Sequence, residues 1–189
     1  LNGKPLPLKT EAGKDCWPLH LKGSKIKSGQ QVGNIVNIEL IGLPEPSAGW
    51  ELEVLGKLGG TITQKEFEKG IACGGSGHSV EWTDNAGNVW SGVPLWTLLG
   101  TVDDVEEKAH WTFSDSVAAK GYTVKITAGD GFAKTFNSAD VTRSNDYIIA
   151  NKINGEPLDD EKSAPLRLVG AGVAKDDGSL SGSAIGNIH

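Results

Sequence analysis

Ile153-Asn-Gly-Glu-Pro-Leu158, then Ala164-Pro-Leu-Arg-Leu-Val-Gly170, then Ile185-Gly-Asn-Ile188 read as a turn, a strand and a further short block. Asn-Gly is a strong turn pair, because both residues tolerate positive φ. The apolar alternation of Pro-Leu-Arg-Leu-Val fits an extended segment with one buried face. The same three blocks occur earlier in the same order. They are Leu1-Asn-Gly-Lys-Pro-Leu6, Trp17-Pro-Leu-His-Leu-Lys-Gly23 and Val32-Gly-Asn-Ile35. Four of the six positions in the first pair of blocks are identical and a fifth is Leu against Ile. Three blocks in register mark an internal repeat, which bears on the whole fold.

The offset between the copies is 152 residues (153 − 1), the size of a domain and too long for a solenoid unit. The sequence therefore predicts residues 1–40 as the C-terminal segment of a preceding repeat or a strand-donating extension. Residues 41–189 read as one nearly complete module. The first copy continues into Ile35-Val-Asn-Ile-Glu-Leu40, an alternating strand pattern for which the second copy shows no counterpart. The alternative is one domain with an internally duplicated hairpin. Pro44 and Pro46 predict a short, stiff join.

Between the repeat blocks the pattern is one of short strands and a few short helices. Trp50-Glu-Leu-Glu-Val-Leu55 alternates, and Thr61-Ile-Thr63 is a short strand. Thr63 and Glu66 form a capping-box pattern for a helix from Gln64 that Gly70 would end. Val80-Glu-Trp82 and Val89-Trp90 flank the turn-rich Asp84-Asn-Ala-Gly-Asn88, a hairpin. Pro94-Leu-Trp-Thr-Leu-Leu99 reads as a short helix opened by proline. Tyr122-Thr-Val-Lys-Ile-Thr127 and Phe132-Ala-Lys-Thr-Phe136 form a second hairpin through Gly129-Asp-Gly131. Asn137 or Ser138 caps a helix over 139–143, with Arg143 on its solvated face. Asp146-Tyr-Ile-Ile-Ala150 is a central strand. The fold class is α+β, mostly β.

Composition narrows the function. With 189 residues and 38% hydrophobic content the chain supports one ordinary core. A net charge of −6 argues against nucleic acid as a partner. No apolar run reaches membrane-spanning length. Cys16 and Cys73 are too few for a disulfide framework. They allow one bridge, Cys16–Cys73, in an oxidising compartment, or two free thiols. The four histidines lack metal-like spacing.

Gly92-Val-Pro-Leu-Trp-Thr-Leu-Leu99, Tyr122-Thr-Val-Lys-Ile-Thr127 with Gly129-Asp-Gly131, Tyr147-Ile-Ile-Ala150, Asn154-Gly-Glu-Pro-Leu158 and Ala164-Pro-Leu-Arg-Leu-Val169 follow one another in one order. That order resembles the molybdopterin-binding domain of the sulfite-oxidase type, over about residues 48 to 170. The resemblance implies a compact α+β fold of mixed sheets. It also implies a catalytic cysteine thiolate that ligates molybdenum, a soft donor for a redox metal. By position that is Cys73. The pterin would then lie around Gly74, Gly75, Ser76, Gly77 and His78, with Arg167 as a further cofactor contact or a partner for a carboxylate.

A pterin phosphate needs cations or a nest of backbone N–H groups. From Glu45 to Cys73 the chain offers only Lys57, Lys65 and Lys69, and the loop after Cys73 holds one histidine and no arginine. Where the family carries a late basic segment, this chain has Lys175-Asp-Asp-Gly-Ser-Leu-Ser-Gly-Ser183. The reading is accordingly a cofactor-free structural, assembly or binding module of a tandem-repeat protein, extracellular or at the cell surface. Its partners would be neighbouring repeats or identical chains, joined head to tail by strand complementation. The alternative is a molybdopterin-dependent oxidoreductase with Cys73 as metal ligand.

Overall fold

A computed structural model describes residues 21, 24–27, 35, 49–72, 78–103 and 111–189. The chain divides into two units, Leu1–Pro46 and Ser47–His189. In the first unit, Ser24 and Lys25 form a turn and Leu21 is exposed.

The second unit begins with strands β1 (Glu51–Leu55) and β2 (Gly59–Thr63), an antiparallel hairpin with Leu52 opposite Ile62. Those two residues carry the buried face, as the alternation in Trp50-Glu-Leu-Glu-Val-Leu55 requires. Helix α1 (Gln64–Ala72) follows at once. Its start is the capping box read in the sequence. Thr63 N donates to Glu66 Oε2 at 2.9 Å, and Glu66 N donates to Thr63 Oγ1 at 3.3 Å. Its end differs from expectation. The helix passes through Gly70, where an added Cβ would fall on the ring of Trp111. Gly70 therefore serves close packing, a tertiary demand that outweighs its weak helix propensity.

Strands β3 (Val80–Thr83) and β4 (Val89–Pro94) form the expected hairpin, with Trp82 opposite Trp90. Asp84 organises its turn. One carboxylate oxygen accepts from the backbone N–H groups of Ala86 and Asn88, both at 2.9 Å. The other accepts from Trp90 Nε1 at 3.0 Å. Helix α2 (Leu95–Leu99) starts after Pro94, whose fixed φ suits a helix entry. A short helix α3 (Asp115–Ala118) precedes the hairpin of β5 (Thr123–Thr127) and β6 (Ala133–Asn137). Helix α4 (Ser138–Val141) opens with a capping box between Asn137 and Asp140. It ends before Arg143, which sits beyond it at a φ of 54°. Strands β7 (Ile148–Ile153), β8 (Glu156–Pro157) and β9 (Arg167–Val169) and a 3-10 helix (Ala171–Val173) complete the order.

Two hairpins, β1–β2 and β5–β6, stand as separate two-stranded sheets. The third sheet runs β3-β4-β7-β8, with β9 also pairing β7, all antiparallel. β7 is central. Ile149 faces the main core, while Ile148 and Ala150 face a second cluster with Trp90, Leu158 and Val169. The main core draws Leu52 and Ile62 from the first hairpin, Val124 and Ile126 from β5, and Leu166 and Leu168 from the segment through β9. One core thus joins all three sheets, giving the α+β, mostly β architecture that the sequence implies.

Candidate functional site

Cys16 and residues 73–77, hence Cys73, Gly74, Gly75, Ser76 and Gly77, lie outside the described residues, and the Cys16–Cys73 bridge with them. What borders that loop is described. Ala72 ends α1 on one side and His78 leads into β3 on the other. A row of rings runs past this point. Trp50 meets Phe67 edge-on at 5.2 Å, Phe67 lies 6.4 Å from Trp111, and His78 lies 6.1 Å from Trp111. Phe67 is fully buried and anchors the row. His78 Nδ1 is buried and meets no hydrogen-bond partner among the described residues. Sequence reading picked out His78, but nothing local signalled Trp111, which comes from a distant part of the chain.

The chain's two arginines are both engaged internally. Arg143 grips Asp115 with two hydrogen bonds, Nε to Oδ1 at 3.0 Å and Nη2 to Oδ2 at 2.7 Å. Its guanidinium also stacks over Trp96 at 4.7 Å and Phe113 at 5.4 Å. The hydrogen bonds and charge of Arg143 hold Asp115 below the ordinary carboxylate range and push Arg143 itself up. This replaces the solvated helix-face position expected for Arg143. Arg167, on β9, donates to the buried hydroxyl of Ser163 at 2.7 Å and lies over Trp90 at 5.6 Å. Burial pulls its pKa down, with the charge of Asp160 acting the other way. Its hydrogen-bond partners are the Ser163 hydroxyl and, through Nη2 at 3.4 Å, the Ala184 carbonyl, where a carboxylate was the expectation; its buried Nε meets no partner among the described residues.

A cofactor phosphate therefore finds neither arginine free. The charged residues of α1, Lys65, Glu66, Glu68 and Lys69, are mixed in sign and exposed. Among the described residues no group of three His, Cys, Asp or Glu side chains is placed to hold a metal ion.

A separate concavity lies elsewhere. A groove of about 740 Å³ separates β1 from β5. Its floor is apolar, with Leu52, Val54, Leu98, Val124 and Ile126, and its rim carries Leu55, 71% exposed. Tyr122 and Asp103 lie at one end. The Tyr122 hydroxyl is buried and meets no hydrogen-bond partner among the described residues, and burial, aided by the Asp103 charge, raises its pKa. Ile188 and His189 line the other end. The imidazole of His189 lies against Gly129, where an added Cβ would come within 2.6 Å of its Nε2. Among the described residues β1 pairs only with β2 and β5 only with β6. Sequence analysis did not identify this groove, since its walls come from hairpins about seventy residues apart (123 − 51 = 72).

The family model described as oxidoreductase molybdopterin binding domain matches residues 42–175. That is 134 of the 189 residues (175 − 42 + 1). No curated protein matches the chain. No helix among the described residues is long and apolar enough to cross a membrane.

Proposed function

The chain belongs to the oxidoreductase molybdopterin-binding domain family, and from that premise we propose that it acts as a cofactor-free binding and assembly module. It sits in tandem with like modules in a larger protein at the cell surface or outside the cell, and its partners are neighbouring repeats or identical chains. The observation that carries this reading is the engagement of both arginines. Arg143 is held by Asp115, and Arg167 by Ser163 and the Trp90 face. Taking a phosphate on Arg167 would break its contact with Ser163 and leave that buried hydroxyl unpaired, at a cost on the order of 1–3 kcal/mol. The repeat supports the tandem arrangement, because its two copies share turn and strand residues and little that does chemistry.

The second reading is a molybdenum-dependent oxidoreductase with Cys73 as ligand. Family membership favours it, as does the buried Nδ1 of His78 beside the loop, which has no partner among the described residues. Elemental analysis of the purified protein separates the two. The module reading expects less than a tenth of an equivalent of molybdenum and no fluorescent oxidised pterin. Stoichiometric molybdenum with pterin overturns it. Full metal retention in a Cys73→Ser variant would count against the second reading.

A further inference from the structure

Three side chains tie the turn between β7 and β8 to the β3–β4 hairpin. Asn154 N donates to Val89 O at 2.7 Å, and Val89 N donates to Asn154 Oδ1 at 2.9 Å. Asn154 Nδ2 donates to Asn88 Oδ1 at 3.2 Å. Asn88 Nδ2 in turn donates to the Asp84 carboxylate, at 3.0 Å to Oδ2 and 3.3 Å to Oδ1. One end fixes the direction of this relay. A carboxylate only accepts, so Asn88 turns its NH2 to Asp84 and its oxygen to Asn154. Asn154 must then offer its own NH2. The relay requires a donor at that one atom, and it closes the end of the β4–β7 ladder, where Trp90 stands opposite Ile153.

An asparagine followed by glycine is the least durable place for such an amide, because no side chain shields the next backbone nitrogen. Gly155 is exposed, and nothing lies within 4 Å of the Cβ it lacks. Its N–H makes no hydrogen bond among the described residues. Once solvent base removes that proton, the Gly155 nitrogen can bond to Asn154 Cγ. The Cγ–Nδ2 bond breaks, ammonia leaves and a five-membered imide forms. Water opens the imide to aspartate or isoaspartate. Water is the one co-reactant, and nothing is oxidised or reduced. The folded turn opposes the first step. Both side-chain hydrogen bonds of Asn154 hold its amide on the neighbouring hairpin, and they must open before Cγ meets the nitrogen.

We infer that Asn154-Gly155 is a deamidation site gated by the Asp84–Asn88–Asn154 relay, and that its hydrolysis is a one-way release of the β7–β8 turn. Hydrolysis replaces NH2 with an anionic oxygen. Two acceptors then face each other between positions 154 and 88, with the Asp84 charge behind them. The bond from Val89 N survives in aspartate, because a carboxylate accepts as the amide oxygen did. Isoaspartate does more. Asn154 at a φ of 52° and Gly155 at 86° form a tight two-residue turn. An extra backbone methylene there displaces Glu156 from its partner Ile153.

Ageing the full chain in warm, mildly alkaline buffer, folded and in urea, with peptide mass mapping, tests this. In urea Asn154 should convert at the rate of Asn2, which also precedes glycine. In the folded chain Asn154 should convert about tenfold more slowly than in urea, since two hydrogen bonds must open first. Asn88→Ala removes one of them and should raise the folded rate about fivefold. Asn154→Asp mimics the product and should lower hydrogen-exchange protection across residues 150–157 about fivefold. Equal folded and urea rates overturn the inference, as does a folded rate unmoved by Asn88→Ala or full protection in Asn154→Asp. Where Asn88→Ala does not fold, the folded and urea rates of the parent chain decide.

Discussion

Gly92 is the position where the fold tolerates least. It lies on β4 at the register shift between Ser91 and Gly92, opposite Ala150 of β7. An added Cβ would fall against the carbonyl oxygen of Ile149 and within 2.6 Å of the Ala150 Cα. Both are backbone atoms of the most buried strand, so no side chain can swing away. Overpacking a rigid site costs about 1–3 kcal/mol. Prising β4 from β7 adds a weakened ladder bond of about 1 kcal/mol. The gain from replacing glycine in a strand is about 0.5–1 kcal/mol in the other direction. Gly92→Ala should therefore destabilise the module by roughly 2–3 kcal/mol, a Tm drop of about 5–12 °C for a unit of this size. Gly60→Ala supplies the control. Nothing lies within 4 Å of the Cβ it would add, so that variant should be neutral or slightly stabilised. Urea unfolding followed by tryptophan fluorescence measures both. A Gly92→Ala variant within 0.5 kcal/mol of the parent would refute the close approach of β4 to β7.

Asp84 makes stability depend on acid. Burial alone would raise its pKa, but hydrogen bonds from Trp90, Asn88 and Ala86 outweigh it and hold the carboxyl below its ordinary 3.8. A depressed folded-state pKa gives stability that is fully present above the unfolded value and lost as pH falls through the folded one. The melting temperature should be level on Asp84's account down to about pH 4 and decline below it. Asp84→Asn should flatten that decline and lower stability at neutral pH by about 1 kcal/mol, both read from thermal melts across pH. Thr63→Ala removes the cap of α1 and should cost about 1 kcal/mol. Urea titration checks this, and Thr63→Ser should recover most of the loss.

Local signals carried the sequence reading furthest. The Thr63–Glu66 pair announced α1, Pro94 announced α2, and alternation exposed β5, because each is a contact between near neighbours in the chain. Gly70 misled, because the reason it sits inside a helix is Trp111, forty-one residues on (111 − 70). Only part of β2 was legible, since Gly59 and Gly60 have no side chains to show alternation. The two-residue β8 and the four-residue α3 were too short to leave a period. The family resemblance, carried by ordered blocks, agrees with the match over residues 42–175. Of the expected site, His78 stands at the loop, whereas Arg167 is drawn to Ser163 by a contact between loop and strand that spacing alone did not indicate.

The pairing of β4 with β7 also sets a kinetic order. Hairpins β1–β2, β3–β4 and β5–β6 each close over a few residues, on a timescale of about 1–10 μs. Joining Gly92 to Ala150 requires a loop of about sixty residues to close (150 − 92 = 58), and its entropy is lost before the core repays it. The rate-limiting event in folding is then the arrival of β7 between β4 and β9. Until that moment the β3–β4 hairpin lacks its ladder partner, and under the tandem reading proposed above the β7 of a neighbouring module would compete for the place.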